Sequence, residues 1–474
     1  MITEYFKIEA FRSNSVNFFK GDFRLNAEYY SHDNAFTLPD DINKEKLSEI
    51  ANVIGFGPFK RYYIDDIKYG VPLISSSEMM EINPLCEGII STELTKNFKK
   101  YLVKKNTILV SCSGTIGNIT LVDSRLADKA VSQHALRVIP KIKEHIGLIY
   151  TFLNSEYGQS IITGKKSGAV IDEIYEDDLN FIDVPIVEAS FIEKLNTLIL
   201  EAFSKRDVAN LCLEKAQRLV VTYNNLPSLS EAEIQTLDTS GQAQIRLASS
   251  IEFTHDYRLD AHFYSNIFKN ANEAIVKYSK QYRKLSDLTY DIFMGGRFTR
   301  NLVDRDNGVP FIGTKNTLQI RPNGFKYLSI AETKNLKELI LKQNWILLAR
   351  SGSLGGTFGK VSFVWKNFEN YAGSEHIIRV CSDNQRIDPA YLFAYLSSPY
   401  GYLGITQLRH GALIDEIDPG DLGNIHIPIV KEDQQKEIGD LVRQAYDLRA
   451  EAISLEDEAQ ELLTQALTKG AKAA

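Results

Sequence analysis

Gly168-Ala-Val-Ile-Asp-Glu-Ile174 returns at 411–417 as Gly-Ala-Leu-Ile-Asp-Glu-Ile, 243 residues later and changed at one position in seven. So long a period exceeds the ~20–50-residue unit of a solenoid or propeller. It marks a duplicated domain. Working outward, Asp22-Phe-Arg-Leu-Asn-Ala-Glu-Tyr-Tyr-Ser31 is echoed by Asp256-Tyr-Arg-Leu-Asp-Ala-His-Phe-Tyr-Ser265, identical at six of ten positions. Lys46-Leu-Ser48 recurs as Lys284-Leu-Ser286, and Gly70-Val-Pro72 as Gly308-Val-Pro310. Asn106-Thr-Ile-Leu-Val-Ser-Cys-Ser-Gly-Thr-Ile-Gly117 answers to Asn344-Trp-Ile-Leu-Leu-Ala-Arg-Ser-Gly-Ser-Leu-Gly355, and His134-Ala-Leu-Arg-Val138 to His376-Ile-Ile-Arg-Val380. The offset climbs from 234 through 238 and 242 to 243, as short insertions accumulate in the second copy.

Each copy reads as mixed and mostly β, with short apolar runs at Thr107–Val110 and Ile346–Leu348 ending in Ser-Gly turns. Short helices are expected at Ile146–Leu153 and Ala390–Leu396, the second opened by Asp388-Pro389. A different kind of segment follows each copy. Ile192, Leu195, Ile199, Ala202, Ala209, Leu213, Ala216 and Val220 step by threes and fours, interrupted by Arg206. Ile438, Val442, Ala445, Ala452, Ala459 and Leu463 do the same around Arg449. A narrow apolar seam of that length predicts two long helices pairing as a coiled coil. A pseudo-twofold makes the pair antiparallel, with Arg206 and Arg449 near its middle, snorkelling to solvent beside Asp207 and Asp447. The expected fold class is thus α+β: two similar mixed, mostly β domains in tandem, 1–187 and 251–430, each followed by a long helix, 188–223 and 431–474. Residues 224–250, polar and turn-rich, form the linker.

The 474 residues are 44% apolar and 24% charged, a globular balance without a run long enough to span a membrane. No signal peptide is read at the N-terminus, and four scattered cysteines suit a reducing cytosol. A cytoplasmic location is expected. The net charge of −7 argues against a nucleic-acid binder only until it is mapped. Residues 431–461 hold ten acids against four bases, −6, so the remainder of the chain sums to −1.

Enzyme motifs are missing. Ser351-Gly-Ser-Leu-Gly-Gly-Thr-Phe-Gly-Lys360 lacks Walker spacing, and there is no GxSxG elbow, no HExxH and no Pro-Pro pair of an adenine-methyltransferase loop. His134 and His376 stand alone, so a local hydrogen bond fits them better than a ligand or base role. Asp172-Glu173 and Asp415-Glu416 point apart if extended, one carboxylate of each pair orienting a loop. Binding features are stronger. Gly55-Phe-Gly-Pro-Phe-Lys-Arg-Tyr-Tyr63 and Phe293-Met-Gly-Gly-Arg-Phe-Thr-Arg300 are glycine-aromatic loops carrying bases, suited to phosphates and nucleobases. Lys165-Lys166 and Arg409-His410 put a basic pair before each copy of the opening heptapeptide. The Lys-rich 96–105 segment reads either as a phosphate contact or as a solvated edge. Framework segments repeat while the loops 73–100 and 311–340 diverge, as two modules reading different short sequences would.

An Ile-Leu-Val-Ser-x-Ser-Gly-Thr-Ile-Gly strand–turn, a Gly-Ala-x-Ile element, a strand ending in Val/Ile-Pro-Ile and a long helix, all given twice, resemble the DNA-specificity subunit of type I restriction–modification systems over essentially the whole chain. The resemblance implies two target-recognition domains, each reading half of a split double-stranded DNA site, and helices that act as a ruler and dock two methyltransferase subunits. Restriction–translocase subunits join that complex. It implies a non-catalytic chain without cofactor or metal, S-adenosylmethionine and ATP/Mg belonging to the partners. The candidate DNA contacts are Lys60, Arg61, Tyr62, Lys165 and Lys166 in the first domain. In the second they are Arg297, Arg300, Lys315, Asn316, Arg350, Ser351 and Arg409. Lys and Arg would hold phosphates; Asn, Ser and some arginines would meet base edges. The rivals are an enzyme with its own methyltransferase or nuclease activity, and a specificity-like scaffold in a phage-defence methylation complex without an endonuclease.

Overall fold

A computed structural model describes residues 42–469, apart from 65, 85–87, 166–171, 230–257, 259, 323, 355, 367 and 412–413. The echo at 22–31, Lys166 and most of the linker lie outside those residues.

The first copy contributes ten strands: β1 (Lys44–Lys46), β2 (Ala51–Ile54), β3 (Tyr63–Ile64), β4 (Gly70–Ile74), β5 (Gly88–Ser91), β6 (Ile108–Ser111), β7 (Ile119–Leu121), β8 (Ala130–Val131), β9 (Ala135–Pro140) and β10 (Asp183–Pro185). The second contributes β11 (Tyr282–Lys284), β12 (Thr289–Met294), β13 (Leu302–Val303), β14 (Gly308–Ile312), β15 (Lys326–Ser329), β16 (Trp345–Ala349), β17 (Ser351–Gly352), β18 (Val361–Phe363), β19 (Ala372–Gly373), β20 (Ile377–Ser382), β21 (Asp415–Glu416) and β22 (His426–Pro428). The sheets repeat with the sequence. The order β2-β9-β6-β7 returns as β12-β20-β16-β18, and β3-β5-β4-β8 as β13-β15-β14-β19. The ribbon β1-β10 returns as β11-β22. The Ile-Leu-Val-Ser and Trp-Ile-Leu-Leu-Ala runs are central strands, β6 and β16, buried at every position, which is why they read as unbroken apolar runs.

Helices α1 (Ile146–Asn154) and α2 (Glu156–Gly164) close the first domain; α4 (Asn266–Tyr278), α5 (Pro389–Leu396) and α6 (Pro399–Gln407) belong to the second. Asp388 caps α5, its carboxylate accepting from the Ala390 and Tyr391 amides with Pro389 in the first turn. Between the domains in sequence runs α3 (Ala189–Tyr223), and the chain's last described element is α7 (Glu432–Lys469). None of the described helices is long and apolar enough to cross a membrane.

α3 and α7 pair antiparallel, as the cross-helix contacts Tyr223–Glu437, Arg449–Asn210 and Arg206–Glu456 require. Alanines mark the seam every seven residues, Ala202, Ala209 and Ala216 against Ala445, Ala452 and Ala459, all buried, and their small side chains let the helices approach closely. The first domain's core takes Ile192, Leu195, Ile199 and Phe203 from α3 and Ala459, Leu463 and Leu467 from α7. The second's takes Ala216 and Val220 from α3 and Ile438, Val442 and Tyr446 from α7. Each domain therefore grips both helices, at opposite ends of the pair.

One expectation is overturned. Arg206 and Arg449 do not snorkel: they are 2% and 5% exposed. Both occupy seam positions, seven residues after Ile199 and Val442, so the heptad turns them inward. Asp207 and Asp447, expected beside them, face the domains instead. Asp207 accepts from the Ser124 amide and hydroxyl and pairs with Lys105; Asp447 accepts from Trp365 Nε1 and pairs with Lys366.

Candidate nucleic-acid interface

The loop from β2 to β3 and its counterpart from β12 to β13 are the glycine-aromatic loops of the sequence. Each is seated on an arginine from the His-x-x-Arg repeat. Arg137 and Arg379 stand on β9 and β20, 3% and 0% exposed, and donate only to carbonyls: Tyr101 and Val131 for the first, Gly373, Ser374 and Ile377 for the second. Burial without an ion pair pulls both guanidiniums down to about 10, against the partial support of Glu375 at Arg379, and both are still charged at neutral pH. Their charge spreads onto ring faces, Arg137 lying 4.1 Å from the Phe56 centroid and Arg379 5.6 Å from that of Phe293.

On this base the first domain stacks Phe59 on Tyr101 at 3.9 Å, with Phe56 edge-on at 5.4 Å. Lys100 lies over Phe56 and Tyr101, Arg61 over Phe59 and Lys60 over Tyr62. Arg61 is aimed by Gln133, whose Oε1 accepts from Nη2 at 2.7 Å. The second domain builds the same device from other residues. Phe298 meets Phe311 edge-on, Arg300 lies over Phe311, and its Nη2 reaches Glu375 Oε1 at 2.8 Å. Gln133 and Glu375 are counterparts, each the residue before the repeated histidine. Both histidines have a local neighbour, Gln133 Nε2 at 3.0 Å from His134 and Glu375 at 3.8 Å from His376.

The sequence candidates divide on this geometry. Lys60, Arg61 and Tyr62 come together on one loop, and Arg297 and Arg300 on the other. Lys60, Arg297 and Lys315 are exposed and make no hydrogen bond or ion pair among the described residues. Asn316 is occupied in its own turn, accepting from the Gly313 amide and donating to Gln319. Arg350 and Arg409 spend their charge on the opening repeat, pairing with Glu416 and Asp415 at 3.1 and 3.4 Å. Ser351 pairs in β17 with Glu416 of β21, as Ser113 bridges Glu173 in the first domain. Ile174 and Ile417 donate to the carbonyls of Cys112 and Arg350. The two strongest repeats in the sequence are thus bonded to each other in both copies, which explains why they echo so closely. Lys165 ends α2, half-buried. Of the Lys-rich segment, Lys100 joins the aromatic stack and Lys105 ties the domain to α3.

Sequence reasoning included Phe56 among the loop aromatics but missed Tyr101, Gln133, Arg137, Glu375 and Arg379. The signal was present in the repeated His-x-x-Arg, whose arginine alternates onto an inward face of its strand.

The family profile described as Type I restriction modification DNA specificity domain matches this chain twice, over residues 39–217 and 277–458. Among solved structures, the type I restriction–modification S subunit from M. genitalium is 16% identical, with a TM-score of 0.28, covering 92% of this chain and 97% of that one. The HsdS subunit from Thermoanaerobacter tengcongensis is 13% identical, with a TM-score of 0.27, covering 93% and 99%. At such TM-scores the two profile matches carry the relationship. No curated protein matches the chain.

Proposed function

The chain belongs to the type I restriction–modification DNA specificity family, with two such domains in tandem, and from that premise we propose that each domain reads one half of a bipartite double-stranded DNA site. The observation that supports this most is the doubled loop, with bases and aromatics held over a buried arginine at equivalent places. Lys60, Arg297 and Lys315 are the phosphate contacts of this reading, joined by Lys100 and Lys165 and by Lys166 outside the described residues. Arg61 and Arg300, each oriented by a neighbouring side chain, present the fork that matches guanine O6 and N7, with Tyr62 beside the first. Asn316, Arg350, Ser351 and Arg409 act behind this layer, holding loops.

The acids exposed along α7, among them Glu432, Asp433, Glu437, Glu451, Glu458 and Glu461, repel phosphate, so DNA lies along the loops and not along the helices. The helix pair is then the docking surface for two methyltransferase subunits, with restriction–translocase subunits beyond them. In this reading S-adenosylmethionine and ATP/Mg are bound by those partners and catalysis is theirs. The test is replacement of residues 1–187 with another such module, followed by methylome sequencing with the neighbouring methyltransferase. One half of the methylated site is expected to change and the other to persist; an unchanged methylome sinks the assignment.

A further inference from the structure

Met80–Ile82 and Leu318–Ile320 lie in the loops that diverge between the copies, and they meet. Ile82 N donates to Leu318 O at 2.7 Å and Ile320 N to Met80 O at 2.8 Å, placing Glu81 opposite Gln319. The flanking strands β4/β14 and β5/β15 are offset by 238 residues, so Glu81 faces its own counterpart, Gln319, while Met80 and Ile82 each face the counterpart of the other, Ile320 and Leu318. The contact straddles the pseudo-twofold between the domains, as a self-complementary patch does in a symmetric dimer. Met80, Leu318, Gln319 and Ile320 are buried there, and Ile320 enters the core of the first domain.

Side chains break the symmetry in one direction. Lys360 of the second domain reaches Glu81 at 2.5 Å with both largely buried, and Arg125 donates to the Glu81 carbonyl. The counterpart of Lys360, 242 residues earlier, is Asn118. Arg321 reaches across to α7, donating to Glu456 at 3.0 Å and Asp457 at 2.6 Å. Glu456 also receives Tyr150 of the first domain and Arg206 of α3. One carboxylate therefore joins both domains and both helices.

Resting on the two-half-site reading, we propose that this clasp holds the two domains at the one separation and rotation that the helix pair dictates, so that the complex rejects half-sites with a longer or shorter spacer, with Glu81, Lys360, Arg321 and Glu456 as positioning residues. Domains fastened only to the two ends of a helix pair can still rock about those attachments. A direct contact between the domains, anchored on α7 through Arg321, joins them independently of their separate grips on the helix ends and so resists that rocking. The demand is strict, because one added base pair moves a half-site by about 3.4 Å and turns it by about a tenth of a revolution.

The experiment uses the full chain and a clasp variant of matched shape, Glu81→Gln/Lys360→Met/Arg321→Met. In a Cys86→Ser/Cys212→Ser background, spin labels placed by Lys99→Cys and Lys337→Cys, both exposed, report the separation of the domains without DNA. A single narrow distance is expected for the parent and a broad distribution for the variant; equal widths overturn the clasp. The assembled methyltransferase complex is then given duplexes with the native spacer and with one base pair more or fewer. The parent is expected to discriminate at least about tenfold and the variant under threefold. Unchanged discrimination despite a broadened distance overturns the spacer role. Lys360→Arg alone, which keeps the cation facing Glu81 and Glu78, is expected to keep a narrow distance and the parent's discrimination, and a loss as large as that of the clasp variant overturns the ion-pair account. A parent with no bipartite site sinks the DNA reading, while the distance measurement still decides the clasp.

Discussion

Glu456 accepts four hydrogen bonds, from Tyr150 at 2.7 Å, Arg206 at 2.8 and 2.6 Å and Arg321 at 3.0 Å, and is 1% exposed. Removing it strands a buried guanidinium, so Glu456→Ala is expected to cost about 3–5 kcal/mol in urea unfolding, whereas Glu456→Leu/Arg206→Met restores most of that. A double variant as unstable as the single one overturns this account. Burial alone would raise this carboxyl, but the Arg206 charge and hydrogen bonds, then Arg321, hold it at about 2. Its stabilisation is therefore fully present above the ordinary carboxylate value of 4.5 and is lost progressively as pH falls from there through about 2. Glu78 runs the other way. Burial lifts it from 4.5 to about 7 against its bonds to Ser75, so its neutral form favours folding below 4.5 and that advantage disappears as pH rises through 7. Stability is expected to drop by ~2–3 kcal/mol between pH 5 and 8, and Glu78→Gln to flatten that slope in pH-resolved melts. Neither carboxyl was legible in the sequence. Glu456 sits in the acid-rich 431–461 segment, which reads as a solvated face until the position of Arg321, 135 residues away, is known.

The helices were the legible elements, because a heptad repeats every two turns and needs no distant partner to be seen. The sheets were not: β1 joins Lys44–Lys46 to Asp183–Pro185, and strands of two or three residues carry too little alternation to announce their neighbours. What the heptad also held, and solvent-seeking logic concealed, was the burial of its two arginines. The pair is unequal. Among the described residues Arg449 has no carboxylate partner, only Asn210 at 3.1 Å and Tyr446, with its ring at 5.2 Å and its side chain hydrogen-bonded, and burial draws it down to about 10. Antiparallel register puts Leu213 where a carboxylate equivalent to Glu456 would stand. Arg449→Met is thus expected to be stabilising by about 1–2 kcal/mol, since it removes an uncompensated buried charge. Leu213→Glu is expected to be tolerated beside Arg449 and damaging beside Met at 449. A double-mutant cycle between the two positions with coupling below about 1 kcal/mol dismisses the pairing.

At the scale of the molecule, the chain separates charge by surface. The acids concentrate on α7, and the exposed bases Lys60, Arg297 and Lys315, which make no hydrogen bond or ion pair among the described residues, sit on loops of the two domains. The glycine-aromatic loops were readable in the sequence as basic and aromatic. Their seating on Arg137 and Arg379 was not, since a buried arginine outside any ion pair breaks the rule by which charged residues are assigned to the surface. This division yields a test that treats the domains as separate readers on one frame. Lys60→Ala and Arg297→Ala each remove one exposed cation from a different domain. Each is expected to lower the salt dependence of DNA binding by about one ion and to weaken native and half-altered sites by the same factor. Because the two residues share no partner, the double variant is expected to equal the sum within ~0.5 kcal/mol, measured by fluorescence anisotropy of the assembled complex across a KCl series. A change in base preference after Lys60→Ala would move that residue from phosphate to base edge. A large departure from additivity would mean that the domains do not read independently, and that a half-site bound by one is felt by the other through the helices and the contact between them.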